Sequence, residues 1–119
     1  MSVGGVDLVP FVVGLLAVYL AFWVFRRTRQ VTSKTAHLMV DTGALLLDVR
    51  TAKEFEGGHL QGAVNVPLPT LTSNPLAVGD RQRAVVVYCQ SGTRSALASV
   101  VLRRAGFTQV ADLGPMGRW

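Results

Sequence analysis

The run AVVVYC, residues 84–89, leads directly into a small polar loop, QSGTR, and then into SALASVVLRRAGF. A run of β-branched residues without a polar break reads as a strand buried on both faces, because a strand covered on one side only would alternate. After the loop, Ala96, Leu97, Val100, Val101 and Leu102 fall near helical spacing, and Gly106 stands where a helix closes. A doubly buried strand feeding a helix constrains the chain to a parallel α/β sheet with helices on its faces. In open sheets of that kind ligands bind at the carboxyl ends of strands. Cys89, the only cysteine of the chain, stands at such an end.

The remainder of the chain repeats the alternation. SKTAHLMV reads as a short helix with Thr32 or Ser33 as its N-cap. ALLLDV reads as a second doubly buried strand, and TAKEFEGG as a helical turn or two ending at Gly57 and Gly58. AVNVP is a short strand stopped by Pro67, and QVADL is the last strand. Between them LPTLTSNPLAVGDRQR is loop-rich, with one helical turn expected. His37 stands alone and reads as a surface or packing residue rather than a ligand. A single cysteine excludes an internal disulfide, and no Cys/His spacing fits zinc, so neither a metal nor a cofactor is expected.

A lone cysteine is either a small buried hydrophobe or a reactive thiol. The residues after Cys89 favour the second. Backbone N–H groups of Gln90, Ser91, Gly92, Thr93 and Arg94, curling from strand to helix, make a concavity that holds an anion. Gly92 lets the backbone turn where a Cβ would obstruct it. The helix N-terminus adds partial positive charge, and Arg94 adds a full one or holds the loop closed. Together these favour a thiolate, which is a nucleophile and can carry a negative terminal sulfur. Ser91 and Thr93 serve either this chemistry or only the helix cap.

Residues 8–25, LVPFVVGLLAVYLAFWVF, carry no charge and reach about 27 Å as a helix. That is near the hydrocarbon thickness of roughly 30 Å, so a transmembrane anchor is expected. No basic n-region or small-residue cleavage site marks a signal peptide, and no polar face marks a buried core helix. Asp7 is placed to cap the helix start, Pro10 falls in its first turn, and Tyr19 and Trp23 lie toward the far end. Ala17 and Ala21 form a small-xxx-small pair. Arg26, Arg27 and Arg29 follow, which places this end on the cytoplasmic side and the N-terminus outside. The expected organisation is thus a short external N-terminus at 1–7, the span at 8–25, a basic linker at 26–32 and one small domain at 33–119. All 12 lysines and arginines lie after the span with six of the seven acids. Such a basic domain points to anionic membrane lipid. Basic-aromatic interleaving is absent, so no nucleic acid is expected.

At these residues the chain resembles the single-domain rhodanese family of sulfurtransferases. LLLDVRTAKEFEGGHLQGAVNVPL looks like that family's first signature, through Asp48, Val49, Arg50, Glu54, Phe55, Gly58, His59, Gly62, Ala63, Asn65 and Pro67. YCQSGTRS looks like its active loop, and LRRAGFTQVADLG like its C-terminal helix and strand. The resemblance covers residues 33–119. It implies a five-stranded parallel sheet flanked by helices. It also implies that Cys89 takes a sulfane sulfur from thiosulfate or from a low-molecular-weight or protein persulfide and yields it to a thiol acceptor. Asp48 and Arg50 are implied to fix the loop and line its entrance, with a purely structural Asp48 carboxylate equally open. His59 and Asn65 read as packing and turn-fixing residues.

Three departures stand out. Gln90 occupies a position where many active members carry a cation, which disfavours thiosulfate as donor. Pro115 replaces the second glycine of a usual Gly-Gly pair. The sequence stops at Trp119, so the last helix is expected to be very short or missing and the domain less stable. Two further functions compete with sulfur transfer. A phosphatase or arsenate reductase uses a C-x5-R loop, one residue wider than the span from Cys89 to Arg94. A non-enzymatic module would only tether a partner at the membrane. Oligomeric state is left open.

Overall fold

Leucine and valine runs take the centre of the sheet. A computed structural model describes residues 2–119, and the side chains of these apart from residues 2, 3 and 26–28. An antiparallel hairpin of β1 (Ser2–Val3) and β2 (Val6–Asp7) comes first. The Asp7 carboxylate then accepts the Val9 N–H at 3.0 Å and starts α1 (Val9–Arg29). α2 (Ser33–Asp41), β3 (Leu45–Asp48), α3 (Ala52–Glu56) and β4 (Val64–Asn65) follow. The second half holds α4 (Leu68–Ser73), β5 (Val85–Cys89), α5 (Thr93–Arg104) and β6 (Val110–Pro115). Short 3-10 turns occupy Pro75–Val78 and Met116–Arg118.

The main sheet is parallel throughout, in the order β4-β3-β5-β6. Successive side chains point to opposite faces, so each central strand feeds two cores. Leu45, Leu47, Val85, Val87 and Cys89 pack with Leu71, Ala98 and Leu102 on one face. Leu46, Val86, Tyr88, Ala111 and Leu113 pack with Ala36 on the other. This is the doubly buried arrangement that the unbroken apolar runs require.

Four strands stand where five were expected. The missing edge is reduced to one parallel bridge, Gln30 with Asp112, and a Val31 N–H to Asp112 carbonyl hydrogen bond of 2.8 Å. The reason is length. Arg29 ends α1 and Thr32 already caps α2, so only two residues are free to pair. Gln30 lies over Gly114, where a Cβ would come within 2.5 Å of its amide nitrogen, and Arg118 donates to its side-chain oxygen. The last helix is a single 3-10 turn, and the His37 ring stacks on Trp119 at 3.6 Å. LPTLTSNPLAV is more helical than its composition suggests, because Leu71 is fully buried against the α5-side core and draws α4 into shape.

The expected membrane span is overturned. Among the described residues no helix is long and apolar enough to cross a membrane. The uncharged part of α1 runs from Val9 to Phe25, about 26 Å at ~1.5 Å per residue, and the arginines at 26, 27 and 29 belong to its last turns. The arginines inside the helix thus leave an uncharged stretch shorter than the ~20 residues a span takes. The single-pass placement, with the N-terminus outside and the domain cytoplasmic, loses its basis with it.

Candidate active site

β5 delivers Cys89 to the carboxyl end of the sheet, fully buried. The chain then turns through Gln90 and Ser91, both exposed, to Gly92, the N-cap of α5. Gly92 has φ +96°, a left-handed conformation that an L side chain adopts only with strain. That turn aims its N–H back at the cysteine, and it donates to Sγ at 2.9 Å. The Ser95 hydroxyl donates to the Gly92 carbonyl at 3.1 Å and locks the turn from inside the helix. Thr93 is exposed in the first turn of α5. The sulfur thus sits at the positive end of a 12-residue helix.

Two arginines approach this loop. Arg50 forks onto Asp48, with Nη2 to Oδ2 at 2.7 Å and Nε to Oδ1 at 3.1 Å. It also donates to the Gly58 carbonyl at 2.7 Å and reaches the Gln90 side-chain oxygen at 3.4 Å. Asp48 Oδ1 accepts the Arg50 N–H as well, at 2.9 Å. The Asp48 hydrogen bond raises the Arg50 pKa, more than burial lowers it. Behind the pair, Tyr88 takes the Leu60 N–H on its hydroxyl oxygen, and burial with an Asp48 hydrogen bond pushes its phenol up to about 12. Asn65 donates to the Asp48 and Arg50 carbonyls at 3.0 and 2.9 Å, which fixes the strand end. His59 stacks on Phe55 at 3.7 Å.

Arg94 is held by a carboxylate. Its two terminal nitrogens grip both oxygens of Glu54, at 2.6 and 3.0 Å. Glu54 is the N3 residue of α3 and closes a reciprocal cap with Thr51. The Arg94 hydrogen bond, helped by the Thr51 N–H, holds the Glu54 carboxyl down at about 2. The structure therefore brings Cys89, Gln90, Gly92, Asp48 and Arg50 to one place, and ties Arg94 to a carboxylate instead. Sequence reasoning named Glu54 only within a signature. The T-x-x-E cap was legible there, but its ion pair with a residue 40 positions later was not. Among the described residues no group of three His, Cys, Asp or Glu is placed to hold a metal.

Comparison with known proteins bears on the same part of the chain. The Rhodanese-like domain model matches residues 32–114. The chain belongs to the rhodanese-like domain family. An uncharacterized protein, YqhL, of Bacillus subtilis (strain 168) is 40% identical over 77 residues, which is 64% of this chain and 60% of that one. The thiosulfate sulfurtransferase PspE of Escherichia coli (strain K12) is 36% identical over 69 residues, 57% of this chain and 66% of that one. The match thus spans about two thirds or less of these relatives' length. The solved human single-domain sulfurtransferase TSTD1 superposes with a TM-score of 0.64 at 26% identity, covering 76% of this chain and 91% of that one. The rhodanese sheet and loop account for residues 32–114, while α1 lies outside the match.

Proposed function

We propose that this chain is a sulfurtransferase that carries sulfane sulfur on Cys89. The Cys89 thiolate attacks the outer sulfur of thiosulfate or of a persulfide. The donor S–S bond breaks, and sulfite or a thiolate leaves with the electron pair. Cys89 then holds a persulfide, Cys–S–S⁻. An acceptor thiolate, or cyanide in the test tube, attacks the terminal sulfur and restores the Cys89 thiolate. The observation that supports this most directly is the Gly92 N–H on Sγ at 2.9 Å at the start of α5. A donor fixed there stabilises negative charge on sulfur without reorganisation.

Phosphate-ester chemistry is disfavoured by the same geometry. An arginine that closes a phosphate loop must face the oxyanion, and Arg94 faces Glu54. A module that only tethers a partner has no need of an N–H aimed at a buried thiol. The test is intact mass of the full chain after thiosulfate and, separately, after cysteine persulfide. Gain of one sulfur, lost with cyanide and absent in Cys89→Ser, is expected. No gain from either donor in a folded sample would sink the proposal and favour a partner-binding role.

A further inference from the structure

We propose that Glu54 is the residue that sets donor charge preference in this chain, by holding Arg94 in an ion pair and so withholding its positive charge from the loop mouth. The inference rests on the sulfur-transfer reading above. Its basis is a charge balance at one spot. Arg50 is locked on Asp48 with 4% and 0% of the side chains exposed, so it has no charge to offer. Gln90, on the lip of the loop, is neutral and meets Arg50 through its side-chain oxygen at 3.4 Å. Arg94 is the remaining cation of the loop, one-third exposed and in electrostatic reach of Cys89. Glu54, equally exposed, grips it through both oxygens.

The pairing has a specific consequence. A dianion such as thiosulfate gains most from an unpaired guanidinium near the sulfur that it must approach. With Arg94 neutralised, the mouth offers backbone N–H groups and an amide instead. These suit a donor of lower net charge, such as a persulfide of a small thiol. Glu54 touches neither the sulfur nor the donor, so it is a positioning residue. Its carboxyl lies at about 2, so the pair stays closed across the neutral range.

Glu54→Gln tests this with little structural change, since glutamine also serves the N3 side of a capping box. The first readout is the ratio of kcat/KM for thiosulfate to kcat/KM for cysteine persulfide. It is expected to rise about tenfold, through KM for thiosulfate, the order of one freed charge at a part-exposed site. The rise is expected to disappear in Glu54→Gln/Arg94→Gln. The second readout is independent of turnover: thiosulfate affinity by calorimetry in the Cys89→Ser chain, expected to tighten about tenfold when Glu54→Gln is added. Equal losses for both donors, or an unmoved ratio and affinity, would overturn the proposal and leave Glu54 a cap. A parent chain that takes sulfur from neither donor would sink the sulfur-transfer reading, while the calorimetric arm still decides the charge question.

Discussion

Arg50–Asp48 and Arg94–Glu54 flank the same cysteine loop with the same chemistry, an arginine forked onto a carboxylate. They differ in surroundings. The first pair is sealed, with 4% and 0% of its side chains exposed, and the second stands open at 33% and 34%. A sealed pair is expensive to break because either partner alone is a buried, unanswered charge. An open pair exchanges with water and salt at little cost, so it can be retuned without disturbing the fold. The inner pair holds Arg50 against Gln90 at the start of the loop, and in the proposal above the outer pair sets what charge the loop presents.

Removing the inner charge is the largest way to break this contrast. Asp48→Asn keeps the shape and leaves Arg50 buried without its counter-ion. It should cost about 3–5 kcal/mol, read as a lowered urea midpoint, whereas Glu54→Gln should barely move that midpoint. A comparable shift in both variants would erase the distinction. Next comes the pivot between the pairs. Gly92→Ala forces a Cβ into a left-handed turn at a cost of about 1–3 kcal/mol and shifts the N–H from Sγ. Persulfide formation on Cys89 should slow well before the fold is lost, and mass-resolved kinetics will show whether it does.

The smallest effect is electrostatic and sharpens the comparison by pH. The folded Glu54 carboxyl lies at about 2, against an ordinary 4.5. A depressed carboxyl stabilises the fold above its unfolded value and loses that contribution as pH falls toward its folded value. The Tm difference between the parent chain and Glu54→Gln should therefore be full above pH ~4.5 and vanish by about pH 2. Added salt should shrink it further. A difference that persists at the acid end would mean that Glu54 acts through its cap with Thr51 alone.

Much of the site was legible before the fold was. AVVVYC declared a doubly buried strand through its unbroken β-branched run. Gly92 and Gly106 marked the two ends of α5, whereas the capping box of Thr51 with Glu54 was a local signal left unread. What escaped was decided by partners distant in sequence. α4 is helical because Leu71 meets the core beneath it. The fifth strand shrank to Gln30 because two helices left no residues between them to pair. The apolar stretch of α1 was legible as a helix but not as one too short to span.

The sequence by itself determined the alternation of buried strands and helices, and with it the thiol at a strand's carboxyl end. Periodicity and turn chemistry are local properties, written within a few residues. Only the tertiary structure decided the charge around that thiol. Asp48 and Arg50 lie two residues apart, but Arg94 meets Glu54 across 40 residues and two helices. Ion pairs follow distance in space, and folding alone sets that distance.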